Sequence, residues 1–200
     1  MQYLETLLEA QREFAKHDPQ KMAEASGAEY DPRENVIRVL YLNKSYRVFY
    51  PEGRILAEEE PTNLAVEEKA LILQYLSQAP GHPLTKRWIS YSELPNGMYH
   101  DRPFKVEAVE PLAETFGGQP GKLLEAAQAL GGSELKIGDL GVVIPVLPRI
   151  LVAVILWVGD EEFPARANMV FDAVTPRYLS TAAVYVLGSI LTKRLKEAAA

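Results

Sequence analysis

Apolar side chains at the start of the chain recur at helical spacing. An amphipathic helix is predicted over residues 2–16, whose apolar stripe contains Leu4, Leu7, Leu8, Phe14 and Ala15. A second, shorter helix is predicted to end near Gly27, because Asp18 can cap a helix and Pro19 suits its first position. The chain is therefore predicted to begin with two helices.

The pattern then changes to one typical of strands. Residues 34–55 are rich in valine, isoleucine and tyrosine, and they are interrupted at residues 43–44 and 52–53. Both interruptions, Asn-Lys and Glu-Gly, contain residues that favour tight turns. A three-stranded antiparallel meander is predicted for this part of the chain.

Helical spacing returns in the middle of the chain. Thr62 is a candidate cap for a helix that the Pro-Gly-His-Pro run at residues 80–83 ends. Residues 87–92 indicate a short strand, and residues 94–97 indicate a turn.

Prolines and glycines divide the segment that follows. One helix is predicted to end at residues 117–118, with a kink or break at Pro111. Its apolar side is predicted to contain Val106, Val109, Leu112, Ala113 and Phe116. Pro120 begins another helix, which the glycines at residues 131–132 end.

The most hydrophobic stretch of the chain covers residues 141–158. Pro145, Pro148 and Arg149 lie near its middle, and both the prolines and the charge disfavour a membrane-spanning helix. The stretch instead predicts a buried β-hairpin that turns at its Leu-Pro-Arg-Ile sequence. A short ordered segment is expected at residues 168–174.

A terminal helix is predicted after Ser180 or Thr181, either of which can cap it. Its expected core-facing residues are Val184, Leu187, Leu191 and Leu195. Helices and antiparallel strands without a βαβ alternation predict an α+β fold, with a meander and a hairpin packed against several helices. Residues 1–200 are predicted to form one domain.

Composition narrows the classes of function. The chain has no cysteine, which excludes disulfides, thiolate metal sites and cysteine nucleophiles, and which fits a cytoplasmic location. Its formal net charge of −6 disfavours binding to nucleic acid. No secretion signal or membrane span is indicated, so a membrane association is not expected.

Charged residues concentrate in one loop after the hydrophobic stretch. Asp160, Glu161 and Glu162 follow one another, and Asp172 comes shortly afterwards. One interpretation is that two of these carboxylates gather around a hard cation such as Mg²⁺ or Ca²⁺. The alternative is that they cap residues 168–174 and pair with Arg149, Arg166 or Arg177. No metal site is assigned, because the spacing matches no calcium loop and no zinc motif.

Aromatic residues supply a second group of candidates. Trp88, Tyr91, Tyr99 and Trp157 lie in predicted strands and turns, and with Arg102 they could line a pocket for a flat ligand. The alternative is that they belong to an ordinary core. His100 could serve as a general base, although capping of the next helix by its neighbour Asp101 is the simpler interpretation of this stretch.

Several motifs of the second half occur together in an order that resembles one prokaryotic family, the domain of unknown function 3786. These motifs are Trp88-Ile89, Gly97 with Tyr99, Leu130-Gly131-Gly132, Gly138-Asp139, Leu147-Pro148, Leu156-Trp157, the acidic run ending in Phe163-Pro164, Phe171-Asp172 and Tyr178-Leu179. The family is uncharacterised. The resemblance implies relatives in anaerobic organisms, some fused to an iron–sulfur module, and hence a link to corrinoid or one-carbon metabolism.

This chain departs from that family pattern in two respects. It has no cysteine and so holds no iron–sulfur cluster of its own. The family pattern also has an acid two or three residues after Tyr178-Leu179, where this chain has Ser180 to Ala183.

The leading hypothesis from the sequence is a non-catalytic domain that binds a small-molecule ligand or cofactor between the acidic loop and residues 88–102. The candidate ligand-binding residues are Trp88, Tyr91, Tyr99, Arg102, Trp157, Asp160, Glu161, Glu162 and Asp172. One alternative is a module that binds a protein partner. A second alternative is a metal-dependent enzyme that uses the Asp160–Glu162 carboxylates with His100. Catalytic residues and the cofactor stay unassigned.

Overall fold

The computed structural model describes residues 2–59 and 64–200, with side chains from Leu4 onward in those ranges. The chain begins with helices α1 (Gln2–Phe14) and α2 (Pro19–Ser26), as predicted. Asp18 caps α2, because its Oδ1 accepts a hydrogen bond from the amide of Lys21 at 2.9 Å.

A four-stranded antiparallel sheet follows. Its strands lie in chain order, and they are β1 (Glu29–Asp31), β2 (Val36–Tyr41), β3 (Lys44–Phe49) and β4 (Arg54–Ala57). The predicted meander is confirmed as β2 to β4. Strand β1 was not predicted, because three residues carry too little alternation to be recognised without their pairing to β2.

The central helix α3 (Val66–Gln78) leads to strand β5 (Trp88–Ser90). The predicted cap Thr62 lies outside the described residues. At the observed start of α3, the amide of Ala65 donates to Oε2 of Glu68 at 2.9 Å.

The helical segment around Pro111 continues through the proline instead of ending there. It consists of α4 (Asp101–Phe104), a π-helical turn (Lys105–Val109) and α5 (Glu110–Phe116). In the π-helical turn, the amide of Glu110 donates to the carbonyl of Lys105. The disruption expected from the missing N–H of Pro111 therefore takes the form of one wider turn.

This wider turn overturns one detail of the predicted helix. Val106 was expected on the apolar side, but it is half exposed, whereas Val109, Leu112 and Phe116 of the predicted apolar side are buried, as is Ala108. Val106 lies inside the π-helical turn, where the 3.6-residue period does not apply, and most of the predicted apolar side from Val109 onward is buried.

A five-stranded antiparallel sheet forms the second half, after helix α6 (Pro120–Ala129). Its further strands are β6 (Ser133–Leu135), β7 (Leu140–Leu147), β8 (Ile150–Trp157) and β9 (Arg166–Asp172), in the order β5-β9-β8-β7-β6. The predicted hairpin is confirmed as β7 and β8. The short ordered segment expected at residues 168–174 is part of a full strand, β9.

The terminal helix α7 (Thr181–Ala198) begins after Ser180, whose Oγ accepts a hydrogen bond from the amide of Ala183 at 3.2 Å. The four residues predicted to face the core are all buried. Within the described part of the chain, no helix combines the length and the hydrophobicity needed to cross a bilayer.

One buried apolar cluster extends from Ala10 in α1 to Leu195 in α7 and includes residues of both sheets. The two sheets also meet through the backbone, where the amide of Leu42 donates to the carbonyl of Val146 at 3.1 Å. Val146 lies at a bulge in β7, which frees its carbonyl from regular pairing with β8. The predicted α+β class is confirmed.

Candidate functional site

An open cleft of about 680 Å³ separates the turns after β5 from the start of α7. We call it the Tyr91 cleft. It is lined by Tyr91, Pro95, Asn96, His100, Pro176, Leu179, Ser180, Thr181, Ala182 and Tyr185. Its volume and its largely apolar lining with a few polar groups are typical of small-molecule sites in proteins.

Hydrogen bonds within the chain set the shape of the first wall. The Glu93 carboxylate accepts bonds from the amide of Ser90 at 2.7 Å and from its hydroxyl at 2.8 Å, which closes a tight turn after β5. Gly97 follows the lining residues Pro95 and Asn96, and a Cβ atom there would lie 2.0 Å from the carbonyl oxygen of Tyr91. Only glycine fits at this position of the turn.

Three aromatic rings support the interior of the cleft. The Tyr91 ring stacks on Phe104 with 4.2 Å between centroids, and Tyr185 meets both rings edge to face. Gly188 makes room for this group, because a Cβ atom there would lie 2.4 Å from the Phe104 ring. The cleft therefore has a fixed aromatic wall that can contact a flat or aliphatic ligand.

The start of α7 forms the opposite wall. The hydroxyl of Thr181 donates to the carbonyl of Pro95 at 2.7 Å and fastens the helix to the turns. The first amides of a helix have no partner within the helix, and those of Thr181 and Ala182 belong to two residues that line the cleft. Such amides carry a partial positive charge that favours an anionic ligand group.

The electrostatics of the lining suit the same kind of ligand. None of the lining residues carries a carboxylate. Burial raises the pKa of Tyr91, and the nearby charge of Asp101 raises it further, so its hydroxyl stays protonated at neutral pH. The side chains of Asn96 and His100 add polar atoms at the same cleft. The Tyr91 hydroxyl itself donates to the Thr181 carbonyl at 3.4 Å. The lining therefore combines polar side chains with no carboxylate of its own, and the charge of Asp101 lies nearby.

The predicted aromatic site is only partly assembled. Tyr91 lies in the cleft, whereas Tyr99 is 79% exposed and Arg102 is also exposed, and neither lines it. Trp88 and Trp157 lie in the five-stranded sheet outside the cleft. The turns after β5 point Tyr91 inward and leave Tyr99 on the surface, a difference that composition alone does not reveal.

The predicted gathering of acids is not observed. Trp157, before the acidic loop, pairs with Arg166 at one end of β9, whereas Asp172 pairs with Trp88 at the other end. Asp160, Glu161 and Glu162 are exposed, and no group of three metal-binding side chains occurs among the described residues. The loop acids and Asp172 therefore do not share a site.

Asp160 instead orders its own loop. Its Oδ1 accepts bonds from the amides of Glu162 at 2.9 Å and Phe163 at 2.7 Å. These bonds, that from Phe163 first, lower the pKa of Asp160. The expected pairing of the loop acids with Arg149, Arg166 or Arg177 does not occur within residues 2–59 and 64–200.

Asp172 has a structural role. It is fully buried, and its carboxylate accepts bonds from the amides of Thr85, Lys86 and Val174 and from the Thr85 hydroxyl, at 2.7–3.1 Å. The bond to Val174 agrees with the capping alternative. Burial alone would raise the pKa of Asp172, but these hydrogen bonds outweigh it and lower the pKa.

The predicted pocket beside the acidic loop has a counterpart of about 630 Å³, which lies next to α5 rather than next to residues 88–102. Pro164 and Arg166 line it together with Glu110 and Glu114, and Asp160 to Glu162 do not. His100 lies in the other cleft, so it shares no cavity with the loop acids.

Sequence patterns did not reveal the residues of α7 that complete the Tyr91 cleft. Ser180 and Thr181 were recognised only as caps, and Tyr185 was not singled out. These residues follow Tyr91 by about ninety positions, and no local pattern connects two segments so far apart. The one available signal was a helix start with two adjacent hydroxyl side chains, Ser180 and Thr181.

Comparison with protein families matches residues 18–194 to the domain of unknown function DUF3786. The chain belongs to this family. Comparisons with curated proteins and with solved structures give no significant match. Several motifs that carried the resemblance have structural roles in this member of the DUF3786 family. Gly97 allows the turn beside Tyr91, Gly138 packs on β8 with a φ of 72°, and Asp172 holds the segment before β5.

Proposed function

We propose that this DUF3786 protein is a non-catalytic accessory domain that binds a small organic anion, such as an aromatic or aliphatic carboxylate, in the Tyr91 cleft. The observation that carries this proposal is the juxtaposition of a fixed aromatic wall and the first amides of α7 across one cleft. The apolar body of such a ligand would contact Tyr91 and Tyr185, and its carboxylate would accept bonds from Thr181 and Ala182.

The hydroxyl groups of the cleft support a binding role over a catalytic one. The Oγ of Ser180 accepts a bond from Ala183, and the hydroxyl of Thr181 donates to Pro95. Both therefore have partners within the fold. No carboxylate of the lining can orient His100 as a general base.

The metal-dependent enzyme is a weaker alternative on this geometry. It requires His100 near Asp160 or Glu162 in one concave site. Those acids are exposed on a different loop and do not line the cleft that contains His100.

The proposal includes the cellular location and the metabolic context of the protein. A cytoplasmic location in a prokaryote is inferred from the absence of cysteine and from the family resemblance. The link to corrinoid or iron–sulfur one-carbon metabolism rests on that resemblance.

A charge placed at the start of α7 tests the proposal. Ala182 is exposed and lines the cleft, and an acid near a helix start stabilises the helix. We expect Ala182→Asp to keep the fold and to weaken carboxylate binding at least about tenfold, through like-charge repulsion. The family resemblance, which implies an acid close to this position, also suggests that the fold accepts the change.

The measurement is calorimetric titration with benzoate, indole-3-acetate and hexanoate, each compared with its uncharged amide. Gly121→Asp is the matched control, because it adds the same charge near the start of α6, where a Cβ atom meets only open space. Binding of the carboxylates to the wild type and to Gly121→Asp, but not to Ala182→Asp, supports the proposal. Equal binding to all three proteins, or binding of none of the carboxylates by the wild type, contradicts it.

A further inference from the structure

The five-stranded sheet has two apolar faces, of which the helices cover one. On the inner face, Val152, Val154, Leu156 and Phe171 belong to the main buried cluster. On the outer face, Ala153, Ile155 and Val170 form a second cluster, against which Trp88 and Leu135 pack. This second cluster consists only of strand residues.

The outer face is partly exposed at its margins. Ala153, Ile155 and Val170 at its centre are buried, whereas Trp157 is 37% exposed, and Trp88, Leu135, Val143 and Leu151 are half-buried. Alternate residues of a strand point to opposite faces of a sheet, and the strand pairing places these residues on the same outer side, together with the polar residues Ser90, Ser133, Arg166 and Asn168. An apolar sheet face of this kind is normally buried against another layer.

Opposite charges lie at the two ends of the outer face. The acidic loop, with Asp160, Glu161 and Glu162, follows β8 at one end. The exposed residues Lys86 and Arg87 precede β5 at the other end, because β5 pairs with the far end of β9. Arg166 also lies at the acidic end and offsets only part of its charge.

We propose that a second copy of this chain packs on the outer face through a two-fold axis that lies between the sheets and runs across the strands. Such an axis reverses the strand direction, so the acidic loop of each copy meets Lys86 and Arg87 of the other. This arrangement buries both apolar faces and pairs both charged ends. Two stacked sheets related in this way form an aligned sandwich.

The strand edges favour this face over edge pairing. Both edge strands, β5 and β6, contain only three residues. Short edges offer few free backbone groups for pairing with another chain.

The area of the face is close to what a specific dimer needs. The 29 residues of the five strands, each rising 3.3 Å in strands about 4.8 Å apart, give a sheet face of roughly 460 Å² per copy. Two copies contribute roughly 900 Å², and contacts between the charged ends add to this total, against the roughly 1,000 Å² of a specific interface.

Sedimentation velocity across a range of concentrations tests the proposal. We expect a species of twice the 22.3 kDa chain mass, which Trp157→Glu shifts to the monomer. Leu56→Glu is the matched control, because Leu56 is an exposed residue of the other sheet, where the same substitution leaves the dimer intact. Circular dichroism checks that each variant is folded.

Charge reversal tests the orientation of the two copies. We expect the double variant Lys86→Glu/Arg87→Glu to weaken the dimer at least about tenfold. Addition of Glu161→Lys and Glu162→Lys to this double variant should restore the dimer, because both charged ends are then reversed. A wild-type chain that is monomeric at every concentration overturns the proposal. So does a dimer that persists in folded Trp157→Glu. A dimer that Trp157→Glu disrupts but charge reversal leaves unchanged overturns the two-fold orientation.

Discussion

Asp172 shows how a carboxylate that follows an apolar patch can serve the fold. It has four hydrogen-bond donors and no exposure to solvent, and it connects β9 to the segment before β5. A buried charge is tolerated in this way only where donors replace the lost water. The sequence indicated the bond to Val174, because Asp172 lies only two residues before it. It did not indicate the three bonds from residues 85 and 86.

Removal of this carboxylate should destabilise the fold. We expect Asp172→Ala to lower the free energy of unfolding by at least about 3 kcal/mol, because four donors, of which the Val174 amide is buried, lose their acceptor. Asp160→Ala, in the exposed loop, should cost less than about 1 kcal/mol. Urea unfolding measures both, and a loss below 1 kcal/mol for Asp172→Ala contradicts the assigned role.

The same carboxylate makes stability depend on pH. Because the pKa of Asp172 is lower in the folded chain than in the unfolded chain, its contribution is complete above the unfolded value of about 3.9. It is lost as the pH falls below that value and through the folded pKa. The stability difference between wild type and Asp172→Asn should therefore decrease below about pH 4. A constant difference over this range would contradict the lowered pKa.

At the scale of elements, a buried ion pair fixes α7 against α3. Glu68 is 2% exposed, and Arg194 donates to both of its carboxylate oxygens at 2.6–2.9 Å. The hydroxyl of Tyr41 and the amide of Ala65 complete the bonds to Glu68. Because α7 also supplies one wall of the Tyr91 cleft, this pair helps to position the cleft.

Separation of this pair should be costly. We expect Arg194→Met to destabilise the protein by about 3–5 kcal/mol, because it leaves the buried Glu68 charge uncompensated. Glu197→Gln removes an exposed partner of the same arginine and should cost less than about 1 kcal/mol. Equal effects of the two substitutions in urea unfolding would contradict a special role of Glu68.

Most elements were predictable because their signals are local. Asp18 with Pro19 and Ser180 are caps, and the hairpin of β7 and β8 has turn residues between two apolar runs. The π-helical turn and the exposure of Val106 were not predictable, because they depend on how the chain accommodates Pro111 inside a helix. Strand β1 depends on its pairing with β2, which a three-residue pattern does not encode.

The candidate site was harder to predict than the elements, because it depends on the whole molecule. The cleft joins residues near Tyr91 to residues near Thr181, and only packing of α7 against the turns brings them together. The acidic loop was predicted to be part of the site because its charges follow a core strand. It is a surface loop ordered by Asp160. The loop follows the last residue of β8, the middle strand of the sheet, where the chain leaves the core.

The continuous buried cluster leads us to expect one cooperative unfolding transition for the whole chain. Both tryptophans lie in the five-stranded sheet, so their fluorescence reports on that half, whereas far-ultraviolet circular dichroism reports on all elements. The two signals should give the same midpoint in urea. Two separate midpoints would show that the halves unfold independently and that residues 1–200 are not one domain.

The most direct test of the Tyr91 cleft is chemical-shift mapping by NMR on the ¹⁵N-labelled protein during titration with indole-3-acetate. The account predicts that the amide signals of Gly97, Thr181 and Ala182 move in a saturable manner, while those of residues 159–163 stay in place. Saturable shifts confined to residues 159–163, or no saturable shift at the start of α7, would contradict the assignment of the cleft as the binding site.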